Sequence, residues 1–230
     1  MEKNKGIIQQ TPANDGQRYG IFGASGTGKT TKARELIRNC KRLIVFDSLK
    51  REWTTEGKAW LPNFTLSKNT GELLKAIRKR WTKGFQIVYC PECWKEVEEL
   101  DKVCRMIWNI QANSGYGINH TAKITLFIDE AQECAPSGLA RDYPKHGALL
   151  LSKMGRAKGI NMLVASQRIK TVDIAIRSNL TGIYIFRLAE LSDIIEANQI
   201  IMDKTALKTM ANYDYFFKNE NGQIKFFKKS

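Results

Sequence analysis

Residues 23–30 read Gly-Ala-Ser-Gly-Thr-Gly-Lys-Thr, a spacing suited to binding a polyphosphate. Gly23, Gly26 and Gly28 let the backbone curl tightly with its N–H groups facing inward, and Ala24, Ser25 and Thr27 fill out the loop. Those amides, with the helix entered through Thr30 and Thr31, bind phosphates. Lys29 reaches the β- and γ-phosphates, and Thr30 offers its hydroxyl to Mg²⁺. The ligands this predicts are ATP and Mg²⁺. A chance glycine-rich turn is the alternative, and the run's place between a strand and a helix argues against it.

A P-loop needs an acidic element to hold the metal. Leu126-Phe127-Ile128 buries a strand, and Asp129-Glu130 ends it in two acids. Asp129 suits Mg²⁺ through its water shell, and Glu130 suits the general base that polarises an attacking water. Alone, the pair reads more readily as a strand ending in solvated acids. Beside a P-loop it reads as catalytic, and the adjacent glutamate favours hydrolysis over transfer to a metabolite. A later strand ends Ala165-Ser166-Gln167-Arg168, where Gln167 could bond both the γ-phosphate and the water.

The elements that must position these residues alternate along the chain. Strands are expected at Gln17–Gly23, Leu43–Phe46, Phe85–Tyr89, Ile124–Ile128, Asn161–Ala165 and Gly182–Phe186. Helices are expected at Thr31–Cys40, Glu72–Trp81, Glu92–Gln111, His146–Arg156 (stopped by Gly159) and Leu191–Ile201. Tyr213–Lys218 and Gln223–Lys228 flank Asn221-Gly222 and predict a hairpin. Continuous apolar strands between helices imply a mostly parallel sheet covered on both faces. The fold class is α/β: a RecA-like P-loop domain of the additional-strand, catalytic-glutamate type. One strand would lie between the P-loop strand and the acidic strand, and a C-terminal β-hairpin would follow. Residues 1–16 read as a flexible lead-in and 17–230 as one ATPase domain.

The 230 residues carry a formal charge of +14 with 43% hydrophobic residues, so a polyanionic partner is expected. Nucleic acid is the first candidate and an anionic membrane surface the second. No run of about 18 apolar residues occurs, so no transmembrane segment is expected. Residues 1–16 are polar and lack a signal-peptide core. Five irregularly spaced cysteines argue for a reducing compartment rather than a disulfide framework.

The ordered series of the glycine loop, Phe127–Ala131, Met154–Ile160, Val164–Arg168 and Asp173–Asn179 resembles the HerA–FtsK superfamily of DNA-pumping ATPases. The compact length is most similar to its viral genome-packaging branch, from tailless icosahedral viruses with internal membranes. The resemblance covers roughly residues 17 to 228. It implies a hexameric ring around double-stranded DNA, gripped by its phosphate backbone without regard to sequence. It also implies sites between subunits, each receiving an arginine from the neighbour. Arg156 matches the position for that trans-acting finger, Arg168 is a weaker rival, and Arg177 could tie the boundary. As an alternative, Arg156 is a solvated cation at a helix end. Capsid-vertex or membrane proteins become partners to consider, and the host cytoplasm or the virion's packaging vertex the expected location, without secretion.

Asp47 and Glu52 resemble acids that follow the second strand in the superfamily, although the intervening Ser48-Leu49-Lys50-Arg51 lacks the expected proline. A solvated loop is an equal reading of them. Cys90-Pro91-Glu92-Cys93 has zinc-knuckle spacing without a second pair, and only a folding accident would add Cys104, His120 or Cys134. Lys75, Arg78, Lys79, Arg80 and Lys83 read as a solvated helix face, as do Lys225, Lys228 and Lys229 on the tail. Tyr213, Tyr215, Phe216, Phe217, Phe226 and Phe227 read as hairpin packing. Three other functions compete with DNA packaging. They are a phage-assembly ATPase related to zonula occludens toxin, a nucleotide kinase, and a non-enzymatic DNA-binding module.

Overall fold

The computed structural model describes residues 16–49, 53, 65–112, 123–202, 207 and 209–229. Glu52 and His120, weighed above as candidate ligands, lie outside them, as do residues 1–15 of the expected lead-in. Nine strands make one sheet: β1 (Arg18–Phe22), β2 (Arg42–Asp47), β3 (Thr65–Ser67), β4 (Phe85–Tyr89), β5 (Ile124–Asp129), β6 (Ile160–Ser166), β7 (Gly182–Phe186), β8 (Tyr215–Lys218) and β9 (Ile224–Phe227). Their order is β3-β4-β2-β5-β6-β1-β7-β8-β9. Strands β1 to β7 run parallel, and the hairpin β8–β9 adds antiparallel to β7. The strand expected between the P-loop strand and the acidic strand is β6.

The apolar runs are continuous because both faces of the sheet are covered. Along β5, Leu126 and Ile128 pack on one side with Leu73, Ile77, Leu100, Ile107 and Leu151. Phe127 points to the other side, with Ala33, Leu36, Leu163 and Ala165. The helices of the first side are α2 (Thr70–Arg80), α3 (Glu96–Ala112) and α6 (Gly147–Met154), and α1 (Lys29–Ile37) covers the second. Each fully buried leucine, isoleucine or phenylalanine contributes about 1.5–3 kcal/mol relative to exposure, so the two-sided core holds the strand ends in place. Between β5 and β6 lie α4 (Ala131–Cys134) and α5 (Leu139–Asp142), while α7 (Ile174–Arg177) precedes β7 and α8 (Leu191–Ile201) follows it.

Several element boundaries differ from expectation. Helix α3 starts at Glu96 rather than Glu92, because Trp94 takes a left-handed backbone at φ 68°. Glu96, Glu98 and Glu99 then complement the positive end of the helix. Helix α6 ends at Met154, and Arg156–Lys158 form a separate 3₁₀ turn closed by Gly159 at φ 68°. Helix α1 begins at Lys29, inside the glycine loop, and ends at Ile37.

Helix α6 carries an uncommon cap. His146 Nδ1 accepts from Ala148 N at 3.1 Å, and Nε2 donates to Val97 O at 2.8 Å. Both contacts need the neutral ring with its proton on Nε2. Burial lowers the His146 pKa below the ordinary 6.5, outweighing the Val97 bond and the Asp101 carboxylate, which raise it. The folded chain therefore resists a proton that the unfolded chain accepts near 6.5. This stabilisation is complete above that value and is lost as pH falls through the lower folded value. Melting temperature is expected to drop between pH 7.5 and 5.5, with about 1 kcal/mol at stake in the cap. His146→Asn, a neutral cap, is expected to flatten that part of the profile in thermal denaturation.

Candidate nucleotide-binding site

Parallel pairing brings the carboxyl ends of β1, β2, β5 and β6 to one edge of the sheet. There, a cavity of about 300 Å³ is lined by Ser25, Gly26, Gly28, Lys29, Thr30, Thr31, Arg34, Asp47, Leu49, Asp129, Glu130, Gln167 and Tyr213. Open α/β sheets bind ligands outside the carboxyl ends of their strands. A larger cavity of about 620 Å³, bounded by α7, α8 and the hairpin turn, contains none of the P-loop residues 23–30.

The loop after β1 is held by its neighbours. Gly23 N donates to Ser166 O at 3.3 Å, and Ala24 N to Arg187 O at 2.8 Å. Thr27 is buried, and its Oγ1 donates to Ala24 O at 2.8 Å. Gly23, Ala24 and Thr27 thus shape the loop, while Ser25, Gly26 and Gly28 border the cavity. Gly28 sits at φ 111°, and a Cβ there would come within 2.7 Å of the Tyr213 ring, so only glycine fits. The loop feeds directly into α1, whose first-turn amides have no partner within the helix and mark an anion site. Lys29 is 8% exposed, and its Nζ donates to Ala24 O at 3.1 Å.

Two acids meet in register: Asp47 ends β2 directly beside Asp129 on β5. Asp129 Oδ2 accepts from the Trp53 indole at 2.7 Å, and Oδ1 accepts from Glu130 N at 3.1 Å. Both oxygens are thereby oriented and keep acceptor capacity. Mg²⁺ typically takes one or two carboxylates, with water and phosphate oxygens completing its shell. The Thr30 hydroxyl with Asp129 and Asp47 on the same cavity fits that donor set.

Glu130 adopts a left-handed backbone, φ 48° and ψ 55°, between β5 and α4. Its Oε1 accepts from Gln167 Nε2 and its Oε2 from Gln132 Nε2, each at 2.8 Å. Gln132 Oε1 accepts in turn from Ser166 Oγ at 2.6 Å. Glu130 is thus tied on both oxygens to β6, the strand beside the P-loop strand. A carboxylate fixed this way beside a phosphate-binding loop can accept a proton from water.

The arginines fall elsewhere. Arg156 lies in the 3₁₀ turn before β6, at the sheet's amino edge, 3.9 Å from Glu220 in the hairpin turn. Seven strand residues at ~3.3 Å each put roughly 20 Å between it and Gln167. Arg168 does not line the cavity; its Nε donates to the buried Asp193 of α8 at 3.0 Å. Arg177 pairs with Glu196 of the same chain and is 13% exposed.

The cysteines are dispersed. Cys93 is exposed, while Cys104 and Cys134 lie in the core, where burial pushes the Cys134 thiol up to about 12. No group of three metal-ligating side chains occurs among the described residues. Lys75, Arg78, Lys79, Arg80 and Lys83 are exposed on α2 and the turn after it. Tyr215–Phe227 and Phe216–Phe226 pack across the hairpin as expected, whereas Tyr213 lines the cavity. Arg34, Leu49, Trp53 and Gln132 are the site's unanticipated members. Only Gln132, two residues beyond Glu130, had a positional signal.

No protein-family model matches the chain, and no curated protein does. Solved structures do. The genome packaging NTPase B204 of Sulfolobus turreted icosahedral virus 2, in complex with AMPPCP, is similar over 94% of this chain and 98% of its own, with TM-score 0.68 and 16% identity. B204, the DNA-packaging ATPase from Sulfolobus turreted icosahedral virus, is similar over 95% and 98%, with TM-score 0.66 and 18% identity. This chain has the fold of a viral genome-packaging NTPase. The similarity to the packaging NTPases leaves little of either chain uncovered. The cytoplasmic domain of the type VII secretion ATPase EccC from Thermomonospora curvata is similar over 93% of this chain but 25% of its own, with TM-score 0.57 and 14% identity. No described helix is long and apolar enough to cross a membrane.

Proposed function

We propose that this protein is a Mg²⁺-dependent ATPase that drives double-stranded DNA into a viral capsid from sites shared between subunits. The observation that carries the reading is one cavity lined at once by Lys29, Thr30, Asp129, Glu130 and Gln167. Lys29 and the loop amides hold the phosphates. Thr30 and Asp129, with Asp47 beside them, would hold Mg²⁺, which when bound neutralises phosphate charge. Glu130 accepts the proton of the attacking water, and Gln167 orients that water and the γ-phosphate. The solved structures of similar fold and length come from proteins named as genome-packaging or DNA-packaging enzymes, which supports DNA as cargo. The charge of +14 suits a phosphate backbone gripped without sequence preference.

Arg156 supplies a further cation to the γ-phosphate, beyond Lys29 and Arg34 of the cavity wall, and it does so in trans. Its own site lies at the opposite sheet edge, so only a neighbour's Arg156 reaches the γ-phosphate. Arg168 and Arg177 hold close ion pairs with α8 of their own chain, whereas Arg156 stands 3.9 Å from Glu220, a looser pairing that favours it over both. Hydrolysis then depends on assembly into a ring, for which a hexamer is the proposed form.

Steady-state ATP turnover with and without duplex DNA tests this reading. DNA is expected to stimulate the parent protein, with stimulation fading as salt rises. Arg156→Ala is expected to keep ATP binding and lose about 10³-fold or more in stimulated turnover, as for arginine fingers. Parent turnover indifferent to DNA and to oligomeric state would sink the motor reading.

A further inference from the structure

One aromatic side chain at the cavity has no part in the chemistry above. Tyr213 stands in the loop before β8, and its backbone is left-handed at φ 74°. A bulky residue in that region is uncommon and persists where surrounding contacts over-determine it. Those contacts lead to the P-loop. Tyr213 N donates to Thr27 O at 2.8 Å. The ring abuts Gly28, where any Cβ would meet Cδ1 at 2.7 Å. Lys229 Nζ lies 4.0 Å from the ring centroid, and Lys229 N donates to Asp214 Oδ1 at 2.8 Å, so the tail buttresses the ring. Tyr213 remains 40% exposed and lines the same cavity as Lys29, Thr31 and Arg34.

A nucleoside triphosphate held by the P-loop must place its base somewhere beside the loop. Bases stack on aromatic rings, and a ring carrying a cation on one side is well suited to an electron-rich partner. We propose that Tyr213 is the platform for the nucleobase, fixed to the phosphate loop by its own amide. The hydrogen bond to Thr27 makes base and phosphates register with one another, since ring and loop move as one piece. This proposal rests on the P-loop reading. It assigns Tyr213 a role in binding the base and none in hydrolysis.

Equilibrium binding of ATP and of inorganic tripolyphosphate separates the two readings. Tyr213→Gly adopts φ 74° without strain and keeps the amide bond to Thr27, so it removes the ring alone. Tyr213→Asn, a second ring-free residue tolerant of that backbone, repeats the test. Both are expected to weaken ATP roughly tenfold while leaving tripolyphosphate unchanged, and Tyr213→Phe is expected to match the parent on both ligands. Equal loss of both ligands in the ring-free variants overturns the platform and makes Tyr213 a mere prop of the loop. Undiminished ATP binding in them overturns it too. A parent protein that binds neither ligand overturns the P-loop reading beneath it.

Discussion

Glu130→Gln is expected to bind Mg-ATP about as well as the parent protein and to hydrolyse it at least about 100-fold more slowly. The substitution keeps the shape of the side chain. Glu130 receives hydrogen bonds from the Gln167 and Gln132 amides, and neither partner belongs to the P-loop. Glutamine retains one acceptor for these donors and presents an NH₂ to the other, which a flip of Gln132 can accommodate. What disappears is the capacity to take a proton from water. Phosphate binding depends on other atoms, the loop amides and Lys29. Direct nucleotide binding beside single-turnover hydrolysis checks the split. Hydrolysis within about tenfold of the parent would remove Glu130 from the base role.

Lys29→Ala is expected to fail at the earlier step. A charge-assisted hydrogen bond contributes about 1.5–3 kcal/mol, so ATP affinity should drop roughly 10- to 100-fold. Turnover should fall further, by about 10²–10³, because the same cation faces charge developing on the phosphate. Folding should barely change. Ala24 O, which accepts from Lys29 Nζ, also accepts from Thr27 Oγ1 at 2.8 Å and stays satisfied. Lys29→Arg is not expected to rescue the loss, since a planar fork does not replace a compact ammonium in a tight loop. Calorimetric titration with a non-hydrolysable analogue, with thermal denaturation alongside, measures both effects. Unchanged affinity would separate the loop from nucleotide binding.

The parts of the site that sequence made legible share a physical cause. Gly23–Thr30 carries the residue types and order that a backbone needs to wrap a phosphate. Asp129 and Glu130 are announced by the apolar run of β5, which must be buried on both faces. Both signals are local. The unannounced members come from long-range contacts. Trp53 meets Asp129 across 76 positions, with no local signal to mark it. Tyr213 was grouped with the hairpin aromatics by proximity in sequence, yet the turn before β8 directs it to Gly28. Asp47 was ambiguous because its relevance depends on β2 lying next to β5, a neighbour relation that no stretch of residues encodes. The late start of α3 hinged on one residue, Trp94, adopting a backbone that helical periodicity does not register.

The left-handed backbone of Glu130 sets fold and activity against each other at a single position. Holding a non-glycine residue there costs about 1–3 kcal/mol, a strain glycine does not feel. Changes that discard the acid at 130 therefore tend to be tolerated by the fold, and some improve it. A library sorted for heat resistance would drift toward glycine or asparagine at this position and lose turnover on the way. Resistance to heat is for that reason a misleading guide when engineering this protein for turnover. Under the proposed base role, the acid at position 130 is the source of turnover and of strain alike.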